Sequence, residues 1–162
     1  MGSLSTTLQN FEWSYLAGFF DGDGSLMVQL KNRRDTIRGW RIMFTICFYQ
    51  DKRHEKILHE IRDLLNIGYI NVRNDGMAEL RINGYEQNLY VLENMKPYIK
   101  FKKKQVDYAI KILKVINNVR FSSISQTQRG LLADWFNGIR AENYKSSGRK
   151  HSPEEIKALL MK

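Results

Sequence analysis

Hydrophobic and polar residues alternate with a period of two in four segments of the chain, and this pattern predicts four β-strands. The clearest segment is residues 41–49, where the even-numbered positions from Ile42 to Phe48 are all apolar. The predicted strands cover about residues 25–31, 41–49, 69–73 and 78–83. Asn74-Asp75-Gly76 is typical of a hairpin turn between the last two strands. We therefore expect two hairpins in one antiparallel sheet.

Apolar residues at helical spacing predict the other elements. The predicted helices cover about residues 11–21, 51–65, 85–95, 102–119, 127–143 and 153–161. This order predicts an α+β fold, with an αββαββα core, a saddle-shaped antiparallel four-stranded sheet and additional C-terminal helices. Helices would cover the apolar sheet face and leave the polar face open. We expect one domain over residues 1–162, with its core at about 8–144 and a basic segment at 145–162.

The chain carries 26 Lys and Arg residues against 17 acidic residues, a net charge of +9. Nearly all of this surplus lies in residues 101–162, which contain 13 basic and 5 acidic residues. An imbalance of this kind favours an anionic partner, nucleic acid rather than a membrane surface. No apolar run approaches the roughly 20 residues that span a membrane. The N-terminus has no leader pattern, so we expect an intracellular protein with no membrane partner.

The single cysteine, Cys47, excludes an internal disulfide and a cysteine-based zinc site. A lone thiol also fits a reducing compartment. In the predicted strand it falls on the polar face, where we interpret it as a base-contacting or neutral position and not as a nucleophile.

The segment from Tyr15 to Ser25 joins an apolar helix end to two carboxylates separated by single glycines. Gly22 and Gly24 suit the left-handed or close-approach backbone that ends a helix. Asp21 and Asp23 would face the negative end of the helix dipole, which costs about 0.3–1 kcal/mol for each acid. We expect a compensating partner for them, and a divalent cation is the obvious one.

Residues 16–24, Leu-Ala-Gly-Phe-Phe-Asp-Gly-Asp-Gly, resemble the signature motif of the LAGLIDADG homing endonucleases. The resemblance implies an intron-encoded enzyme that makes double-strand cuts in a long pseudo-palindromic DNA site and has no small-molecule substrate. Cutting would be metal-dependent phosphodiester hydrolysis that leaves 3′ overhangs. It also implies a location in a chloroplast, a mitochondrion or a prokaryotic cytoplasm.

The motif occurs once, and members of the family with one motif act as homodimers that pair through the motif helix. The residues expected at the dimer interface are Tyr15, Ala17, Gly18 and Asp21. Small residues such as Ala17 and Gly18 would let two helix backbones approach closely.

The same resemblance assigns the chemistry. Asp23 and the backbone carbonyl of Gly22 would bind Mg²⁺, and Mn²⁺ or Ca²⁺ can occupy the same site. Asp21 matches the earlier acid of the motif, whose expected role is to support the helix end and the turn. Gln50 and Lys102 would join Asp23 as catalytic residues that organise water around the phosphate. Arg53 or His54 could face the same phosphate, although close relatives often carry Arg where His54 stands. The alternatives are a polar cap for Gln50 and a solvated charge run for residues 102–104.

The polar sheet face mixes the residue types that read base edges in the major groove, so we expect double-stranded DNA to bind there. The predicted DNA-binding residues of this face and its loops are Gln29, Lys31, Arg33, Arg34, Arg38, Arg41, Thr45, Asn71, Arg73, Glu79, Arg81 and Asn83. Contacts to phosphates are predicted for Lys104, Lys145, Arg149 and Lys150. The alternatives are a merely solvated face and, for the whole chain, an intron-RNA maturase or a catalytically silent DNA-binding protein on the same fold.

Overall fold

The computed structural model describes residues 8–143 and 149–162, which form six α-helices and four strands. In chain order they are α1 (Asn10–Asp23), β1 (Gly24–Asn32), β2 (Trp40–Asp51), α2 (Lys56–Leu65), β3 (Tyr69–Val72), β4 (Met77–Asn83), α3 (Tyr85–Met95), α4 (Lys103–Ile116), α5 (Gln126–Glu142) and α6 (Pro153–Met161). The predicted α+β class and the αββαββα order are confirmed. None of the helices in the described ranges is long and apolar enough to cross a membrane.

The strands form one antiparallel sheet in the order β1-β2-β4-β3. The register pairs Val28 with Phe44, and Ile46 with Ile82, so the apolar positions of neighbouring strands share one face. These side chains are buried in the hydrophobic core. Helices α1, α2 and α3 contact the sheet, and the polar positions lie on the opposite face. The alternation in the sequence therefore predicted the two faces correctly.

Two predicted helices differ at their ends from those observed. Residues 51–65 were expected to form one helix, but β2 continues to Asp51 and a 3₁₀ turn, Lys52–His54, precedes α2. The Asp51 carboxylate accepts a hydrogen bond from the backbone N–H of Arg53 at 2.9 Å and so starts this turn. Helix α4 ends at Ile116 rather than at residue 119, because Asn117 has extended backbone with ψ 129° and Asn118 then takes a left-handed conformation with φ +61°. Asparagine tolerates that region better than most residues.

The end of α1 decides between the left-handed and the close-approach backbone that were expected for the two motif glycines. The helix continues through Gly22 to Asp23, and Gly24 begins β1 in extended backbone, with φ −113°, so neither glycine is left-handed. Gly24 is instead needed for close packing, since a Cβ there would lie 2.7 Å from the Cα of Phe20. A Cβ at Gly22 would meet nothing within 4 Å. The direct passage from helix to strand places Asp23 at the border of the sheet.

The last two helices pack beside this border. Ile156 and Leu160 bury one face of α6, which packs against α5. At the end of α5, the Asn143 amide donates a hydrogen bond to the Leu26 carbonyl at 2.8 Å. This contact ties the C-terminal helices to β1, next to the end of α1.

Candidate active site and nucleic-acid interface

The candidate active site lies at the C-terminal end of α1. The Asp23 side chain is exposed there, and Gln50 Nε2, near the end of β2, donates a hydrogen bond to Asp23 Oδ2 at 3.3 Å. The two residues are brought together because α1 runs directly into β1, which pairs with β2. The structure thus places two of the three predicted catalytic side chains in contact.

Asp21 has a different environment, although it lies only two residues away. Its carboxylate is only 5% exposed and accepts hydrogen bonds from the backbone N–H groups of Lys100, at 2.7 Å, and Lys102, at 3.2 Å. These amides stabilise the negative charge of Asp21, so this acid needs no cation, and the contacts agree with the expected support of the helix end. Asp21 is therefore not available to a partner chain, and Ala17 is fully buried as well. Their assignment to the dimer interface is wrong.

Lys102, the N-cap residue of α4, joins the site from another part of the chain. Its Nζ donates to the carbonyls of Phe20, at 2.9 Å, and Asp21, at 2.7 Å, which belong to the last turn of α1. The ammonium therefore lies at the negative end of the α1 dipole, where a cation is favoured. The pKa of Lys102 is lowered, because the effect of partial burial exceeds the opposing effects of the Asp21 and Asp23 charges. The positive charge beside Asp23 is held by the fold itself.

No group of three or more His, Cys, Asp or Glu side chains suited to a metal ion occurs within residues 8–143 and 149–162. Oxygen ligands are nevertheless present at the end of α1. They are the exposed Asp23 carboxylate and the carbonyl of Gly22, which lies in the last helical turn and so has no partner within the helix. Mg²⁺ and Ca²⁺ prefer oxygen ligands, and Mg²⁺ is commonly bound by one or two carboxylates plus water and substrate phosphates. This donor set fits a hard divalent cation shared with a phosphate.

The polar sheet face divides into exposed and buried positions. Gln29, Lys31 and Arg41 are exposed, while Asn71, Arg81 and Asn83 are partly exposed. Two predicted base-reading residues, Thr45 and Glu79, are buried. Thr45 Oγ1 donates to Asn83 Oδ1 at 2.7 Å, and Glu79 Oε1 accepts from Asn71 and Arg81. The structure therefore corrects Thr45 and Glu79 from direct base readers to residues that hold their neighbours in place.

Cys47 lies on the same face but is completely covered. Burial raises the pKa of the Cys47 thiol, so the reactive thiolate is disfavoured. Base contact by Cys47, which we had considered, is not possible from this buried position. The interpretation that it is not a nucleophile agrees with its environment.

Two predicted DNA-binding arginines at the strand ends form exposed ion pairs. Arg33 Nε lies 3.0 Å from Asp35, and Arg73 Nη2 lies 2.6 Å from Asp75. Exposed pairs of this kind contribute little to stability. A phosphate can therefore replace the acid at small cost. Arg34 is exposed in the loop between β1 and β2.

A cleft of about 540 Å³ lies where the β1–β2 loop meets the connection between α4 and α5, and Arg38, Arg41 and Arg120 line it. The Arg38 guanidinium lies over the rings of Phe121, at 4.4 Å, and Trp40, at 5.3 Å. Burial lowers the pKa of Arg38, and neighbouring Arg129 adds to the effect. Sequence reasoning missed Arg120, although a basic residue in a short polar connection could have indicated it.

The remaining predicted phosphate contacts lie around the C-terminal helices. Lys104 Nζ lies 3.3 Å from Glu142, Arg149 Nη2 donates to the Arg140 carbonyl at 2.6 Å, and Lys150 is exposed. The prediction for Lys145 falls outside the described residues.

Arg53 and His54, the two further candidates for a phosphate contact, lie in the 3₁₀ turn after Gln50 and have different environments. Arg53 Nε forms an ion pair with Asp51 at 2.9 Å and holds the pKa of that carboxyl at about 2. His54 is exposed. Arg53 is therefore paired with an acid of its own chain, whereas the His54 side chain is open to solvent.

The outer face of α1 is apolar although it is exposed. Phe11 is 70% and Tyr15 54% exposed, and the exposed glycines Gly18 and Gly22 continue the same helix face. Phe101, 67% exposed, lies near the end of this face, since Lys102 Nζ is 4.9 Å from its ring. Sequence reasoning included Tyr15 and Gly18 but missed Phe11 and Phe101. The spacing of four residues between Phe11 and Tyr15 could have indicated the first.

Comparison with known proteins gives an independent view of this site. A family model described as LAGLIDADG endonuclease matches residues 16–116, which include the acidic motif, the whole sheet and Lys102. DNA endonuclease I-CvuI of Chlorella vulgaris is 30% identical over 123 residues, 76% of each chain. DNA endonuclease I-CreI of Chlamydomonas reinhardtii is 26% identical over 146 residues, 90% of this chain and 86% of the relative.

Solved structures agree with these sequence matches. The crystal structure of I-CvuI in complex with its DNA target in the presence of 2 mM Ca is 25% identical, with a TM-score of 0.74 and 93% coverage of both chains. I-CvuI was also crystallised on the I-CreI target in the presence of 2 mM Mg, with the DNA not cleaved. The archaeal intron-encoded endonuclease I-Vdi141I, 19% identical with a TM-score of 0.76 over 93% of this chain and 95% of that one, shares the fold.

Proposed function

Because the chain belongs to the LAGLIDADG endonuclease family, we propose that it is a homodimeric, intron-encoded homing endonuclease that cuts both strands of a long pseudo-palindromic DNA site and leaves 3′ overhangs. The observation that carries the proposal is the exposed Asp23 carboxylate, which lies 3.3 Å from Gln50 Nε2 and beside the ammonium of Lys102, at the border of an open polar sheet face. The DNA endonucleases I-CvuI and I-CreI, which resemble this chain over most of its length, support it.

Phosphodiester hydrolysis needs a positioned water, neutralisation of phosphate charge and a stabilised leaving oxygen. Asp23 and the Gly22 carbonyl would hold a divalent cation, for which we propose Mg²⁺, with Mn²⁺ or Ca²⁺ on the same oxygens. When bound, the cation supplies charge neutralisation and a more acidic water. Gln50 fixes the Asp23 carboxylate through Nε2 and keeps Oε1 free to orient a water. Lys102 uses two hydrogen bonds on α1 carbonyls, which leaves one of its three donors for a phosphate oxygen.

One acidic motif supplies one cutting site, and a double-strand cut needs two. A two-fold dimer through α1 supplies the second and implies a near-palindromic target. The exposed apolar face of α1, with Phe11, Tyr15 and Gly18, supports this arrangement, because apolar patches of this kind mark interaction surfaces. Phe101 would extend the interface toward the active site. In the dimer the two Asp23 carboxylates would lie on either side of the two-fold axis.

The polar sheet face would lie along the major groove, where its side chains can reach base edges. The residues proposed to face bases are Gln29, Lys31, Asn71, Arg81 and Asn83. The residues proposed to contact phosphates are Arg33, Arg34, Arg38, Arg41, Arg73, Lys104, Arg120, Lys145, Arg149 and Lys150. We treat residues 1–162 as one DNA-binding and catalytic domain. An organelle or a prokaryotic cytoplasm remains the proposed location, with the buried free thiol of Cys47 as support for a reducing compartment.

The first test is a cleavage selection on a randomised duplex library with Mg²⁺, run for the parent protein, Asp23→Asn and Glu60→Gln. Glu60 is the matched control, since it forms an exposed pair with Lys56 on α2 and its change removes the same charge. We expect the parent and the control to cut one long near-palindrome, and Asp23→Asn to bind that site without cutting. If the parent binds but does not cut, the protein is a silent DNA-binding protein. Preference for intron RNA over this library would favour a maturase.

The dimer is tested by Gly18→Leu. Within one chain a Cβ at Gly18 meets nothing within 4 Å and the position is exposed, so we expect the larger side chain to extend away from the protomer core and to interfere with a partner helix. The control is Ala141→Leu, at an exposed position of α5. Sedimentation should show a dimer for the parent and the control and a monomer for Gly18→Leu, with cleavage lost in parallel. A dimeric Gly18→Leu protein would show that α1 is not the interface.

A further inference from the structure

The carboxylate of Glu79 is buried in the middle of the polar sheet face, where only 4% of the residue is exposed. A buried charge is costly unless it is paired. Glu79 Oε1 accepts hydrogen bonds from Asn71 Nδ2 at 2.7 Å and from Arg81 Nη1 at 3.0 Å. Both donors belong to partly exposed side chains on the same face. One buried acid therefore holds two outward-facing polar groups.

The strand register makes this arrangement possible. Asn71 on β3 lies directly opposite Glu79 on β4. Arg81 lies two residues further along β4, and side chains two residues apart in a strand point to the same side. Only 4% of Glu79 is exposed and its Oε1 already accepts two hydrogen bonds, so Glu79 itself is poorly placed to contact a base. It is well placed to set the direction of its two neighbours.

Arg81 shows the effect of this constraint. Its Nε is buried without a hydrogen-bond partner, a situation that costs free energy. A long flexible side chain free of other constraints would turn toward solvent to satisfy that group. The ion pair with Glu79 holds the guanidinium in place, and apart from the buried Nε the remaining donors belong to the terminal nitrogens. Two such donors side by side match the O6 and N7 acceptors of a guanine in the major groove.

We propose that Glu79 is a positioning residue for base recognition, which fixes Arg81 so that its terminal guanidinium nitrogens read one guanine in each half of the DNA site. This inference rests on the proposed function, because it requires the sheet face to lie in the major groove. It assigns Arg81 the base contact and Glu79 the orientation of that contact.

A second hydrogen-bonded row on the same face provides a matched control. Thr45 Oγ1 donates to Asn83 Oδ1 at 2.7 Å, and Asn83 Nδ2 donates to the Tyr69 hydroxyl at 3.4 Å. This row also joins a buried group to partly exposed side chains, but it has no hydrogen bond to Glu79 or Arg81. Thr45→Val therefore removes a comparable buried hydrogen bond and leaves Arg81 held by Glu79.

The experiment uses the target recovered for the parent protein and measures relative cleavage of every single base-pair substitution in it. The proteins are the parent, Glu79→Gln, Arg81→Met, the double variant and Thr45→Val. We expect Arg81→Met to lose preference for guanine at one position per half-site by about tenfold or more. Glu79→Gln should weaken the same position several-fold. The double variant should match Arg81→Met alone, because residues that act as a unit are not additive. Thr45→Val should leave that position unchanged.

Each of the following results would overturn the inference. If Glu79→Gln changes a different position from Arg81→Met, or if the two effects add, Glu79 reads a base itself. If Glu79→Gln lowers cleavage evenly at all positions together with the melting temperature, its role is only structural. If the parent selects a site and Glu79→Gln keeps every preference, this inference fails alone, whereas a parent that selects no site overturns the proposed function as well. Should Glu79→Gln not fold, Glu79→Asp keeps the charge but withdraws the carboxylate, and the same guanine preference should weaken.

Discussion

The two acids of the motif should respond in opposite ways to the same change, removal of one negative charge. Asp21→Asn places an amide NH₂ where a buried carboxylate oxygen accepts a backbone N–H, at 2.7 Å from Lys100 or 3.2 Å from Lys102. Hydrogen bonds to charged groups contribute about 1.5–3 kcal/mol, and an unsatisfied buried donor costs about 1–3 kcal/mol. Removing an acid from the negative end of a helix returns about 0.3–1 kcal/mol. These terms sum to an expected net loss for Asp21→Asn of about 1.5–6 kcal/mol of unfolding free energy.

Asp23→Asn removes an exposed charge that accepts one hydrogen bond, from Gln50 at 3.3 Å, and that has a solvent-screened attraction to the Lys102 ammonium. The amide oxygen of Asn can accept the same hydrogen bond. Relief at the helix end is worth about 0.3–1 kcal/mol, so the free energy of unfolding should stay unchanged or rise slightly. Cleavage should nevertheless be lost, because Asp23 carries the only exposed carboxylate of the motif. Stability and activity are thus divided between two acids that are nearly adjacent in sequence.

The assay is urea unfolding of the parent and both variants, followed by circular dichroism at one protein concentration. The concentration must be the same because dimerisation makes the apparent stability depend on it. A lower midpoint at unchanged slope reports lost stability rather than a changed unfolded state. The reasoning would be refuted if Asp23→Asn were destabilised as much as Asp21→Asn, or if Asp21→Asn stayed within about 0.5 kcal/mol of the parent, the range of ordinary surface substitutions.

Three further outcomes follow from the structure. Gly24→Ala should lower the free energy of unfolding, measured with urea, by about 1–3 kcal/mol through overpacking, since its Cβ would lie 2.7 Å from the Cα of Phe20. Gly22→Ala, where a Cβ meets nothing within 4 Å, should fold normally in the same assay. Arg120→Gln should weaken DNA binding equally for all sequences and reduce the slope of log affinity against log salt by about 1; an unchanged slope in a salt titration would place Arg120 away from phosphates. Burial raises the pKa of Tyr49 from 10.0 to about 12. The contribution of the buried neutral Tyr49 to the free energy of unfolding is therefore complete below pH 10 and is lost as pH rises through about 12. Tyr49→Phe should remove this loss when unfolding is measured against pH.

The sequence by itself determined the element order, the two sheet faces and the family. Period-two alternation from Ile42 to Phe48 reflects the geometry of a strand with one buried face, which depends only on neighbouring residues. The acidic motif is equally local, and it led directly to Asp23. Gln50 followed from the same resemblance, and the sheet register brought it to the predicted partner.

Tertiary structure alone decided which of the candidate side chains are accessible. Four residues that were expected at the dimer interface or on the DNA-binding face are buried by the packing of distant elements, namely Ala17, Asp21, Thr45 and Glu79. The environment of Lys102 also depends on distant residues. Its ammonium binds the α1 carbonyls of residues 81 and 82 positions earlier in the chain, whereas its local sequence shows only a run of lysines. Burial and hydrogen bonding between distant segments depend on what packs against a residue, and local spacing carries no record of that. The identity of the chemistry was therefore readable in the sequence, while the contacts that bury Asp21 and leave Asp23 exposed, and that join Glu79 to Arg81, arise only in the folded chain.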